Sequence, residues 1–194
     1  MRGLYALKPW YTRRLSGALR VAVRRELSPD LLTVAGVACA AFAGAAVAVG
    51  WAVPAALLLA GRLAGANLDG ALARARGVSR PFGFVVNELG DRASDLLVLA
   101  GLAGLALRTG QPVWLVMTAA LAAHLPTFVA LAAAGAGGTR RNGGPLGKTE
   151  RCALVVLVTA VPAWLPAVCA VLVVGSVLTA GLRLRSTHRE LVTA

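Results

Sequence analysis

The chain has 194 residues, 58% of them hydrophobic, with a strongly positive mean hydropathy, which excludes an ordinary soluble domain and points to a bundle of membrane helices. A formal net charge of +12 raises nucleic-acid binding. No basic-and-aromatic recognition module is present, and a surface facing anionic lipid accounts for the excess, so no nucleic-acid partner is expected.

Residues 1–27 form a cytoplasmic juxtamembrane segment. Within it "LYALKPWYTRRLSGALRVAVRREL" is predicted to be an amphipathic helix lying on the inner leaflet. The charged leader is too long for a cleavable signal peptide, and no A-x-A site follows a short apolar run. "LSPDLLTVAG" then opens the first span, with Ser28 or Asp30 as cap and Pro29 suited to the entry turn.

Cutting the rest into stretches of roughly 17–25 residues gives six spans. They cover 32–50, 52–76 (ending in an interfacial turn), 83–107, 112–134, 150–163 and 165–183. The expected fold is all-α and integral to the membrane: one six-helix domain over 28–185 and a short cytoplasmic tail over 186–194. In the second span Gly61 and Gly65, four apart, let helix backbones approach closely, while Arg62 between them needs a partner. "AAAGAGGTRRNGGPLGKTER", between the fourth and fifth spans, is glycine-rich and basic and reads as a mobile loop.

Charge placement sets the orientation. Seven Lys/Arg precede the first span, three follow the second (Arg74, Arg76, Arg80), four flank the fourth-to-fifth junction (Arg140, Arg141, Lys148, Arg151) and three follow the last. Only Arg108 falls at a junction on the other side. By the positive-inside rule both termini face the cytoplasm of a multi-pass cell-membrane protein. Trp51, Trp114 and Trp164 fall at junctions assigned outside, at the headgroup level that indole prefers. Cys39, Cys152 and Cys169 lie in apolar runs without CxxC spacing and read as inert buried thiols. His124 reads as a packed, hydrogen-bonded histidine rather than a ligand.

The third span breaks the apolar pattern. Only eight acidic residues exist, and Asp69, Glu88, Asp91 and Asp95 are four of them. Each charge at a helix centre costs about 2.5–3.5 kcal/mol on insertion scales. At 100° per residue Glu88, Asp91, Arg92 and Asp95 fall within about 100° of arc, one stripe that can face the bundle interior. Glu88 and Arg92, four apart, can pair. At 1.5 Å per residue, Asn87 and Asp91 lie about 6–12 Å in from the cytoplasmic end, and the second span delivers Asp69 near the same level. Two antiparallel helices thus present carboxylates to one cavity open to the cytoplasm. Either Arg62, Arg74 and Arg92 neutralise them as a structural ion-pair network, or a hard divalent cation sits between them. A third reading, an ion path through a small transporter or channel, is weakened by the one-sided depth of the cluster and the lack of internal repeats.

"NLDGALARARGVSRPFGFVVNELGD" resembles the signature of the CDP-alcohol phosphotransferases, D-x2-D-G-x2-A-R-x8-G-x3-D-x3-D. Asp69-Gly70, Ala73-Arg74, Gly83 and Asp91 fit in register, whereas Ala66 and Asn87 stand at two aspartate positions; the adjacent Asn67 is polar. The "SPDLLT" entry and the "PLGKTER" loop also look like this family. In it those aspartates help hold two divalent ions, and the last is taken as the general base. The resemblance therefore implies Mg²⁺ or Mn²⁺ on Asp69, Asn87 and Asp91, with Glu88 or Asp95 helping, and Asp91 as catalytic base. Asn67, Gly70, Ala73, Arg74, Gly83, Arg92 and Lys148 would bind substrate. The implied reaction moves a phosphatidyl group from a CDP-linked lipid such as CDP-diacylglycerol to an alcohol acceptor and releases CMP. An inactive relative with a binding or structural role stays open beside it, and the resemblance makes a homodimer reasonable.

Overall fold

A computed structural model describes residues 8–192, which are helical nearly throughout. Two short helices, α1 (Lys8–Arg14) and α2 (Ser16–Arg24), precede six longer ones: α3 (Pro29–Ala48), α4 (Ala52–Ala75), α5 (Pro81–Arg108), α6 (Val113–Gly135), α7 (Lys148–Ala160) and α8 (Leu165–Val192). One 3-10 turn, Pro162–Trp164, joins the last two.

The expected amphipathic helix is thus two pieces that meet at Leu15, and its first residues, 4–7, lie outside the described ones. The pair docks on α4, where Tyr11 Oη donates to the Ala60 carbonyl at 3.2 Å. Ser28 rather than Asp30 caps α3: its Oγ accepts from the Asp30 backbone N–H at 3.3 Å, with Pro29 in the first turn. Pro81 opens α5 in the same way.

α3 is the central rod and packs against α4 and α5, while α6 pairs with α8. Small residues set those approaches. A Cβ on Gly65 would stand 2.9 Å from the Leu32 carbonyl and 3.1 Å from the Gly36 Cα. One on Gly101 would collide with the Gly44 backbone, so only glycine lets α3 and α5 cross there. Leu59, Leu102, Val116, Val158, Leu165 and Leu172 fill the interior of the bundle.

Among the described residues, three segments are long and apolar enough to cross a membrane: Pro29–Ala48, Val113–Gly135 and Pro162–Val192. α4 and α5 have comparable length but carry buried charges. α7 has 13 residues, about 20 Å of helix against a hydrocarbon core of about 30 Å. α8 continues without a break to Val192, through the stretch expected to be a tail.

The segment between α6 and α7, expected to be mobile, is pinned. Arg183 of α8 donates to the carbonyls of Asn142 and Gly143 at 2.9 Å each and to that of Pro126 at 2.7 Å. Leu146 is buried, and its N–H donates to Thr179 Oγ1 at 3.1 Å. Glycine content suggested freedom; an arginine forty residues away removes it.

Candidate active site

α3, α4 and α5 surround a cavity of about 610 Å³. Asn67, Asp69, Gly70, Ala73 and Arg74 line it from α4, and Gly83 and Asn87 line it from α5. Their spacing places them on the inner faces of two packed helices. α3 adds Thr33, and Arg140 reaches in from the pinned segment. Gly70 leaves room for a neighbouring guanidinium: a Cβ there would stand 3.3 Å from Arg74 Nη1. At the mouth, Arg76 Nη1 donates to the Glu26 and Leu27 carbonyls at 2.9 and 2.6 Å, and Arg80 pairs with Asp30.

Asp69 is the buried acid of the cavity wall. One carboxylate oxygen accepts from Thr33 Oγ1 at 3.0 Å and from the Asn87 amide, and the other lies 2.5 Å from the Gly70 N–H. Thr33 comes from α3, as the last residue of the "SPDLLT" entry, and is not among the expected site residues. Asp69, Thr33 and Ala66 also belong to the wall of a narrow second cleft, of about 10 Å³, which they share with Arg62, Asp91 and Ser94. Asp69 and Asp91 therefore do face one space. Lys148, at the start of α7, pairs with Asp91 at 2.5 Å.

The other two acids of the stripe turn inward but toward arginines. Glu88 pairs with Arg140, whose guanidinium also lies over the Phe84 ring at 5.3 Å. The expected Glu88–Arg92 pair is not formed; Arg92 faces Asp95 at 3.2 Å. Asp95 also binds Arg62, and Arg151 at 2.9 Å. The partner that Arg62 required is thus Asp95, on the neighbouring helix. Asn67 faces the cavity, and its amide donates to Thr12 Oγ1 of α1 at 2.9 Å.

Among the described residues no group of three or more His, Cys, Asp and Glu could hold a metal. Asp69 lines both spaces, with Asn87 beside it on the larger cavity and Asp91 beside it in the narrow cleft, so two carboxylates and an amide adjoin there, a hard-oxygen donor set of the kind Mg²⁺ or Mn²⁺ accepts when water completes the shell. Glu88 and Asp95 stand outside both spaces, each held by arginine. His124 packs as expected, its Nδ1 2.7 Å from the Ala120 carbonyl.

The profile of the CDP-alcohol phosphatidyltransferases matches residues 26–182. The chain belongs to that family. A CDP-alcohol phosphatidyltransferase relative, the phosphatidylinositol phosphate synthase of Mycolicibacterium smegmatis, is 30% identical over 142 residues, which is 71% of this chain and 64% of that protein's length. The matched stretch thus spans just under two thirds of that relative. The crystal structure of the Mycobacterium tuberculosis phosphatidylinositol phosphate synthase with CDP-DAG bound superposes with a TM-score of 0.75. Identity there is 27%, covering 90% of this chain and 94% of that one. The same enzyme in complex with manganese and citrate gives 0.74 at 25% identity, covering 88% and 87%.

Proposed function

We propose that this family member transfers a phosphatidyl group from a CDP-linked lipid, CDP-diacylglycerol above all, to an alcohol acceptor and releases CMP, with Mg²⁺ or Mn²⁺ as cofactor. One observation carries the reading: the signature residues of α4 and α5 line a single cavity, and Asp69 and Asp91 meet in the cleft beside it. The solved relatives, one with CDP-DAG bound and one in complex with manganese and citrate, support the donor and the cofactor.

In this account Gly70 and Ala73 give the nucleotide access to the helix surface, and Arg74 binds its phosphate or ribose. Asp91 takes the proton of the acceptor hydroxyl. The freed oxygen bonds to the β-phosphorus, the bond from that phosphorus to the bridging oxygen breaks, and CMP leaves with the electron pair. Asp69, Asp91 and Asn87 would hold a divalent ion, which when bound would supply positive charge to the pyrophosphate and the departing CMP. Lys148 orients Asp91, and Arg92 reaches the site only through Asp95. Glu88 and Asp95 serve the arginines rather than the ion.

All six long helices cross the membrane in this proposal, with both termini and the cavity mouth at the cytoplasm. Lipid donor and product then stay in the bilayer while cytidine and acceptor come from water. The missing carboxylates at Ala66 and Asn87 keep an inactive relative as the second reading. The test is CMP release from CDP-diacylglycerol by purified protein with Mn²⁺, across alcohols with and without a phosphate. Metal-dependent release with one of them supports transfer; no release with any supports the inactive relative.

A further inference from the structure

We infer that this centre takes one divalent ion rather than two, and that the arginine cluster led by Arg62 carries the positive charge a second ion would bring. The inference rests on the proposed metal-dependent transfer and specifies its centre.

Where Asp69 meets Asp91 the cleft has a volume of about 10 Å³, close to one water-sized sphere, while Ala66, Asp69 and Asn87 also face the larger cavity. Arg62 stands one turn before Ala66 on α4 and forms part of the same wall. Its side chain is 3% exposed. One guanidinium nitrogen binds Asp95, another lies 3.3 Å from Cys152 Sγ, and Nε is buried with no hydrogen-bond partner among the described residues. A cation is therefore already built in beside the position from which an acid is missing.

Charge sets the count. Ala66 and Asn87 remove two negative charges from the four-aspartate pattern, leaving Asp69 and Asp91, and Lys148 already pairs with Asp91, so one divalent ion more than offsets what remains. Asp95 is met by Arg62, Arg92 and Arg151, so that cluster holds two positive charges in surplus, the charge of one divalent ion. A second ion would add its charge next to that surplus with no free carboxylate to receive it. The structure thus sets the loss of two acids from the family pattern beside a buried arginine that supplies positive charge.

The test is Mn²⁺ titration of the metal-stripped full chain in detergent, with free Mn²⁺ followed by electron paramagnetic resonance. One ion per chain is expected, with Asp69→Asn and Asp91→Asn each abolishing it. Two ions per chain would overturn the inference and leave metal-dependent transfer standing; no bound ion would overturn both. A second arm isolates Arg62. The variant Ala66→Asp/Asn87→Asp, with four aspartates but Arg62 retained, should still bind one ion, and adding Arg62→Met should raise the count to two. Two ions with Arg62 in place, or one after its removal, would overturn the role given to Arg62. Should the Arg62→Met variant fail to fold, the four-aspartate variant alone decides the point.

Discussion

Asp91 and Asp95 sit one turn apart on α5 and look alike in sequence, yet the fold separates their work. Asp91 faces the cleft with Asp69, and Asp95 is enclosed by arginines from three helices. Asp91→Asn is expected to lower CMP release by about 100-fold or more, the usual scale for losing a general base, while the melting temperature in detergent changes little. Asp95→Ala should do the reverse first. It strands Arg62 in the interior, and breaking a buried pair costs about 3–5 kcal/mol, visible as a large drop in thermal stability. The stripe itself was legible, since its four charges share one helix face. Their partners were not, because spacing reports neighbours on the same helix, whereas Arg140 and Arg151 come from more than fifty residues away.

At the scale of the element, glycine and arginine decide how helices and connections are held. Gly101 on α5 touches the Gly44 backbone on α3. Gly101→Val would push apart the two helices that shape the cavity, and overpacking of this kind costs about 1–3 kcal/mol or more. A lowered yield of folded, monodisperse protein, with CMP release falling in step, is the expected measurement. Arg183→Ala should release the Asn142–Gly143 segment from its two carbonyl contacts and speed limited proteolysis there, with the helical signal retained. Helix positions were readable from apolar runs and from the Ser28–Pro29 entry. The break at Leu15 and the pinned segment were not, because each depends on contacts with residues distant in sequence.

For the whole molecule, the proposed orientation rests on the distribution of Lys and Arg, most of which lie near helix ends, with Arg62 and Arg92 held inside α4 and α5. Trp51, Trp114 and Trp164 are all exposed, as interfacial anchors should be. In intact cells, an impermeant maleimide should label Val49→Cys, at the α3–α4 turn, and should label Val78→Cys, at the α4–α5 turn, only after lysis. The opposite pattern would invert the proposed topology. Family and general architecture could be read from a signature of six fitting positions. The two departing positions acquired meaning only when Arg62 was found beside Ala66.

The account stands on α4 and α5 bringing Asp69 and Asp91 to one cation. Anomalous diffraction at the manganese edge, from crystals grown with Mn²⁺ at a concentration that supports CMP release, tests this most directly. The account predicts a single peak within coordination distance of both carboxylates. A peak elsewhere, or none at all under those conditions, would contradict it.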